Sequence, residues 1–252
     1  MLLAVDIGNS NIVFGFYDGK KLLTTLRIAT DHARTSDESA MILSQFVELK
    51  RLPSFEAMVV ASVVPKLEAV FRRMAEDYYH LEPLFVSPRL KLNITFDYPQ
   101  PSEIGTDRIC DAVAAFDRFG GPTIIVDFGT ATTFGVVSEQ GAFLGGVIAP
   151  GIETAQSALA FRAAQLFKIS FEAPQSPIGK SSEEAMKAGF YLGAIGQTDY
   201  IIESISRHWG KQPKVVATGG LAPLIAPKSR YISEVLPDIT LDGLRLIFEL
   251  NS

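Results

Sequence analysis

The sequence predicts an α/β fold made of two copies of one unit facing each other across a cleft, and three observations predict it. The segment Leu2-Leu3-Ala4-Val5-Asp6-Ile7-Gly8-Asn9-Ser10 returns as Thr123-Ile124-Ile125-Val126-Asp127-Phe128-Gly129-Thr130-Ala131, so that Asp6 matches Asp127 at an offset of 121 residues. Beyond the turn, Phe14-Gly15-Phe16-Tyr17 matches Phe134-Gly135-Val136-Val137 at an offset of 120, one residue having dropped out. Each copy later reaches another apolar run, Ala57-Met58-Val59-Val60-Ala61-Ser62 in the first and Val215-Val216-Ala217-Thr218-Gly219-Gly220 in the second. Arg118-Phe119-Gly120-Gly121-Pro122 interrupts any helix between the copies and divides the chain into domains 1–118 and 119–252.

In chain order, each copy opens with an apolar strand, an Asp-x-Gly turn and a hairpin closed at Asp18-Gly19 or Glu139-Gln140-Gly141. Thr35 and Glu38 form a capping box ahead of Ile42, Leu43, Phe46 and Val47, which recur at helical spacing. Pro65 opens a second helix with Leu67, Val70, Phe71, Met74 and Tyr78 on one stripe. Ile109, Cys110, Val113 and Phe116 follow Asp107 at the same spacing, which makes Asp107 an acid at a helix N-terminus. A long helical pattern runs from Ser182 to Trp209 with Gly189, Gly193 and Gly196 on one face. Each glycine costs about 1 kcal/mol relative to alanine, which close approach of another helix would offset. A break near Gly196 is the alternative.

Composition narrows the function. The chain has 252 residues, 47% of them apolar, which is ample for a core. Its 23 Lys and Arg against 28 Asp and Glu leave a net charge of −5, and its basic residues cluster only in pairs such as Lys20-Lys21 and Arg72-Arg73. Such a surface repels a phosphodiester backbone, so no nucleic-acid partner is expected. Cys110 is the only cysteine and the three histidines are scattered, which excludes an internal disulfide and a Cys/His zinc pattern. The N-terminus lacks the basic region of a secretory signal and no apolar run approaches membrane-spanning length, so a cytoplasmic protein without a membrane partner is expected.

An acid at the end of a buried strand, followed by glycine and a small polar residue, can hold a hydrated cation while its turn lets backbone N–H groups approach phosphate oxygens. One such turn is common in hairpins; two in register make a phosphate and cation clamp of Asp6 and Asp127. Competing nucleotide motifs are absent. There is no Gly-x-Gly, and Gly179-Lys180-Ser181 lacks the first P-loop glycine because position 174 is proline. There is also no Gly-x-Ser-x-Gly nucleophile elbow.

The duplicated turns and Thr218-Gly219-Gly220 resemble the nucleotide-binding core of the acetate and sugar kinase, heat-shock chaperone and actin superfamily, with its two ribonuclease-H-like (actin-like ATPase) domains. Within it the chain resembles type III pantothenate kinase along nearly its whole length. The matching motifs are Asp6-Ile7-Gly8-Asn9-Ser10-Asn11, Gly105-Thr106-Asp107-Arg108, Asp127-Phe128-Gly129-Thr130-Ala131-Thr132, Gly145-Gly146-Val147-Ile148-Ala149-Pro150-Gly151 and Ala217-Thr218-Gly219-Gly220. The resemblance implies ATP-dependent phosphorylation of pantothenate to 4'-phosphopantothenate, the first step toward coenzyme A. It also implies a homodimer that requires Mg²⁺ or another divalent cation together with K⁺ or NH₄⁺.

On that resemblance, Asp6, Ile7, Gly8, Asn9, Ser10, Asn11, Ile12 and Val13 form the first ATP turn, Asp6 holding Mg²⁺ through water, and Thr130 meets ATP in the second. Asp127 is implied as ligand of the monovalent cation, and Asp107 as the base toward the attacking hydroxyl. Gly105, Thr106, Asp107, Arg108, Tyr98 and Ser182 are implied as pantothenate contacts, the Arg108 guanidinium matching the substrate carboxylate as a fork. Ser10 and Ser182 stand where the family usually has threonine, keeping the hydroxyl and losing a methyl. Ser182 also reads as part of a helix cap, Ser181-Ser182-Glu183-Glu184. Two other readings remain: a regulator like the Bvg accessory factors for virulence-gene transcription, and a superfamily kinase or ATPase with another substrate.

Overall fold

The computed structural model describes residues 1–163 and 166–252, which form two compact units. The first comprises residues 1–94, 99–117 and 238–252, the second residues 95–98 and 118–237. The units thus interleave along the chain, whereas the sequence reading divides it once, at 118/119. The physical reasons are the C-terminal helix described below and a short strand at Thr95–Phe96 that pairs into the second sheet.

In the first unit, β1 (Leu2–Ile7), β2 (Asn11–Asp18), β3 (Lys21–Ala29), β4 (Ala57–Ser62) and β5 (Leu84–Phe85) form one sheet in the order β3-β2-β1-β4-β5. β1 pairs antiparallel with β2 and parallel with β4, Ile7 lying opposite both Ile12 and Ser62. Helix α1 (Ser36–Lys50) starts at the expected capping box, the Thr35 hydroxyl accepting from Glu38 N–H and the Glu38 carboxylate from Thr35 N–H. Helix α2 (Pro65–Tyr79) starts at its proline and buries Leu67, Phe71 and Met74. These meet Leu3, Val5, Ile7, Phe14 and Phe16 from the sheet, with the Phe14 and Phe71 rings 6.0 Å apart. Each such fully buried side chain contributes about 1.5–3 kcal/mol.

Helix α3 (Thr106–Phe119) leads out of this unit, and the last helix, which we number α7 (Ile239–Asn251), returns to it against β1 and β4. Gly243 makes that return possible: a β-carbon there would overlap the backbone of Cys110. Two side-chain bonds fix it, Thr240 hydroxyl to Asp111 at 2.7 Å and Tyr17 hydroxyl to Asp242 at 2.9 Å. Burial and the Asp242 carboxylate push the Tyr17 phenol far above its usual range, so it stays a donor.

The second unit repeats the plan. It contains β6 (Thr95–Phe96), β7 (Thr123–Phe128), β8 (Ala131–Val137), β9 (Ala142–Pro150), β10 (Lys214–Thr218) and β11 (Glu234–Val235), in the order β11-β10-β7-β8-β9-β6. Without β6 this is the first sheet's order. Even the irregularity is duplicated: β2–β3 slips between Phe16 and Tyr17, and β8–β9 slips between Val136 and Val137. Two mixed sheets of one strand order, each flanked by helices, make the duplicated α/β plan that the sequence repeat predicts.

Helices α4 (Ile152–Arg162), α5 (Ser182–Trp209) and the short α6 (Ala222–Ile225) complete this unit. Helix α5 runs unbroken through Gly196. A β-carbon on Gly189, Gly193 or Gly196 would meet nothing within 4 Å, so among the described residues no neighbouring helix accounts for that stripe.

Candidate active site

Each unit brings part of the expected site together at the carboxyl end of its central strands. In the first, β1 delivers Asp6 and Ile7 into the turn Gly8–Asn11. Gly8 N–H donates to Asn11 C=O at 3.0 Å, and Thr30 at the end of β3 clasps the loop from the side. Its hydroxyl donates to Gly8 C=O at 2.7 Å and its N–H to Ser10 C=O at 3.0 Å. Asn9, Ser10 and Asn11 are exposed on this turn, while Ile12 returns to the core and Val13 is partly buried on β2.

The neighbouring strand β4 carries the next element. Val63 N–H donates to Ile7 C=O at 3.0 Å, and the Thr106 hydroxyl bonds both backbone groups of Ser62: it donates to the carbonyl at 2.9 Å and accepts from the N–H at 2.8 Å. Asp107 follows in the first turn of α3, where one carboxylate oxygen accepts from Arg108 N–H at 2.8 Å. The carboxylate folds back over Gly105, onto the place a β-carbon would occupy. Burial pushes the Asp107 carboxyl above its usual range, opposed by the Arg108 N–H and guanidinium. Cys110, one turn on, is fully buried; burial and then Asp111, Asp6 and Asp107 raise its thiol well up, so it packs as an inert side chain.

In the second unit, β7 delivers Asp127 and Phe128 into the shorter turn Gly129–Ala131, closed by Gly129 N–H to Ala131 C=O at 3.1 Å. Here Thr154 does the clasping, its hydroxyl donating to Thr130 C=O at 2.7 Å. Asp127 lies opposite Thr133 on β8 and Thr218 on β10. Beyond Thr218, Gly219 adopts φ +89°, and a β-carbon there would stand 2.5 Å from an Asp127 carboxylate oxygen and 2.6 Å from the Phe128 backbone. Only glycine combines that conformation with that space. The Tyr98 ring lies tilted against Phe143, with centroids 6.5 Å apart, and covers the bare backbone of Gly145. The cap of α5 is Ser181, whose hydroxyl accepts from Glu184 N–H, which leaves Ser182 exposed as the first helical residue.

Among the described residues no three His, Cys, Asp or Glu side chains cluster as a metal cage. The donors offered are single carboxylates beside turns rich in carbonyl and hydroxyl oxygens. That set fits a mostly hydrated Mg²⁺ at Asp6 and, at Asp127, a monovalent ion that accepts a mixed shell of carboxylate, carbonyl and hydroxyl oxygens.

Sequence reasoning missed Ser62, Thr30 and Thr154. Thr30 had a signal, since hairpin alternation carries the end of β3 alongside the turn, Asn11 facing Ala29. Thr154 and Ser62 act through the start of a helix and a partner strand, which local pattern does not reveal.

The chain matches the type III pantothenate kinase family over residues 2–204. Curated type III pantothenate kinases from Geobacter sulfurreducens and Anaeromyxobacter sp. strain K are 41% and 44% identical, over 100% of this chain and 99% and 100% of theirs. A solved structure described as a candidate Baf family transcriptional activator from Campylobacter jejuni is 19% identical with a TM-score of 0.59, covers 98% of this chain and 97% of its own, and shares the fold. No described helix is long and apolar enough to cross a membrane. By the match to its model and by full-length identity, the chain belongs to the type III pantothenate kinase family.

Proposed function

We propose that this protein transfers the γ-phosphoryl group of ATP to the hydroxyl of pantothenate, giving 4'-phosphopantothenate, the first step of coenzyme A biosynthesis. The observation that carries this reading is the pairing of family membership with a desolvated acid, Asp107, tied through Ser62 to the strand end that bears the Asp6 turn.

Residues Asp6 to Val13 and Thr130 bind ATP, their turn N–H groups meeting phosphate oxygens. Asp107 accepts the hydrogen bond of the attacking hydroxyl and orients it; phosphoryl transfer needs little deprotonation until late, so positioning dominates. Arg108 takes the pantothenate carboxylate, and Gly105, Tyr98, Ser182 and the backbone of Thr106 complete the substrate contacts. Asp6 would hold a hydrated Mg²⁺ and Asp127 a K⁺ or NH₄⁺ ion, whose charge would offset that of the phosphates. The enzyme works as a cytoplasmic homodimer.

Coupled nucleotide-release measurements test the reading. ADP release is slow with ATP alone and becomes fast when pantothenate is added. Equal release with glucose or acetate and none with pantothenate would assign another substrate. Salt-dependent DNA binding without turnover would assign a regulator.

A further inference from the structure

We propose that the Thr106 hydroxyl is a positioning group, a clip that sets Asp107 at its distance from the phosphate turn, and that this hydroxyl makes no contact with pantothenate. The inference rests on the kinase reading above and deepens it. A threonine hydroxyl has one proton and two lone pairs. Here the proton goes to Ser62 C=O and one lone pair receives Ser62 N–H, at 2.9 and 2.8 Å. The hydroxyl thus supplies to the last residue of β4 the donor and acceptor that a further strand would supply. It has no proton left to offer a ligand, and only its second lone pair stays open.

The same Ser62 lies in register with Ile7, and Val63 N–H bonds Ile7 C=O. Gly8 and its turn follow Ile7 directly, and Asp107 follows Thr106 directly. Two hydrogen-bonded crossings, β1 to β4 and β4 to the Thr106 side chain, therefore join the turn that receives phosphate to the acid that receives the nucleophile. Both engage backbone groups at a sheet end, and the one side chain involved is short and β-branched, which leaves it little freedom to move. Gly105 and Arg108 N–H then fix how the carboxylate lies over the helix start. Without the clip, α3 remains attached by packing, but its first turn is free to shift against β4. Reacting groups displaced by about 1 Å lose about 10²-fold in rate.

The experiment compares the wild-type chain with Thr106→Val and Thr106→Ser, measuring initial ADP release with pantothenate varied at saturating ATP and the reverse, and amide hydrogen exchange at Ser62. Valine keeps the shape and removes both bonds; serine keeps the hydroxyl. The expected result is a kcat lower by about 10- to 10²-fold in Thr106→Val, both KM values within about threefold of wild type, and recovery to within about threefold in Thr106→Ser. Ser62 N–H loses protection in the valine variant alone. If Thr106→Val does not fold, Thr106→Cys, whose thiol bonds weakly, is read by the same criteria. A raised KM for pantothenate at unchanged kcat would make the Thr106 hydroxyl a substrate contact and overturn the proposal. Wild-type kcat in a Thr106→Val protein with a lowered melting temperature would make Thr106 merely structural and overturn it equally. Wild-type protein that releases no ADP with pantothenate would overturn the kinase reading and the positioning role with it, while Ser62 protection would still report whether the clip exists.

Discussion

Between the paired residues Ile7 and Ile12 the first turn has four residues, and between Phe128 and Thr132 the second has three. The strands around them are otherwise copies, with the same order, the same burial sequence along β1 and β7, and the same slipped hairpin. What differs is what lies beside each acid. Asp6 pairs with Ala61 and is followed across the sheet by Ser62, held by Thr106; Asp127 pairs with Thr218 and is followed by Gly219, pressed against its carboxylate. Duplication kept the backbone scaffold and changed the residues packed around each acid. One copy ties its strand end to a helix that carries a further acid, and the other packs bare glycine backbone against its own.

The largest expected effect removes the acid that only the first copy has. Asp107→Asn should lower kcat by about 10²- to 10⁴-fold with little change in KM for ATP. Because burial raises this carboxyl, the wild-type rate should fall with decreasing pH at a midpoint above the ordinary value near ~4, and Asp107→Asn should lack that limb. The stability sign is fixed too. A carboxyl raised on folding favours the folded state below its unfolded pKa, and that contribution is lost as pH rises through the folded pKa. At neutral pH the ionised group therefore costs stability, and the asparagine variant should melt higher. Near wild-type turnover in a folded variant would reduce Asp107 to a helix-end acid.

Next comes the glycine that the second copy substitutes for Ser62. Gly219→Ala meets both a left-handed φ and the Phe128 backbone, and should destabilise by about 2–3 kcal/mol in urea unfolding and cost more than tenfold in activity. At the counterpart, Ser62→Ala loses only its hydroxyl bonds to Val64, and should cost about 1 kcal/mol. Equal costs would mean that the two strand ends do not differ as described.

A smaller effect separates the ions. At fixed ionic strength and saturating Mg²⁺, replacing Na⁺ by K⁺ or NH₄⁺ should raise activity, and Asp127→Asn should abolish that response along with most of the activity. Asp6→Asn should instead raise the Mg²⁺ concentration needed for half-maximal rate, by about tenfold, the value of one charge-assisted contact. Full wild-type activity in Na⁺ alone would leave Asp127 no monovalent-ion duty.

The contrast also explains what could be read from the chain. The repeat was legible because strand, Asp-x-Gly turn and hairpin are local, and even the lost residue falls in the turn where the offset changes from 121 to 120. Helices with strong termini, Thr35 at α1 and Pro65 at α2, were legible for the same reason. The assignment of α7 to the first unit was not, since it depends on Gly243 finding Cys110, 133 residues away in the chain. Ser62 was hidden likewise: its side chain is unremarkable, and its importance lies in backbone groups that a distant threonine completes.

The smallest prediction compares the two clasps. Thr30 and Thr154 make bonds of the same length, 2.7 Å, to turn carbonyls, but the first is partly buried and the second exposed. Thr30→Val leaves the Gly8 carbonyl with a bond that water replaces only in part, and should cost about 1 kcal/mol. The bond to the Thr130 carbonyl is open to solvent, so Thr154→Val should stay within about 0.5 kcal/mol of wild type, as surface changes usually do. Because Thr30 also bonds Ser10 through its N–H, the first turn should loosen without coming apart, raising KM for ATP by about two- to fivefold, or up to about 1 kcal/mol of binding, with kcat little changed. Urea unfolding and ATP titration of both variants measure the two effects side by side. A cost for Thr154→Val as large as that for Thr30→Val would show that the second turn depends on its clasp as much as the first, and that solvent exposure does not distinguish them.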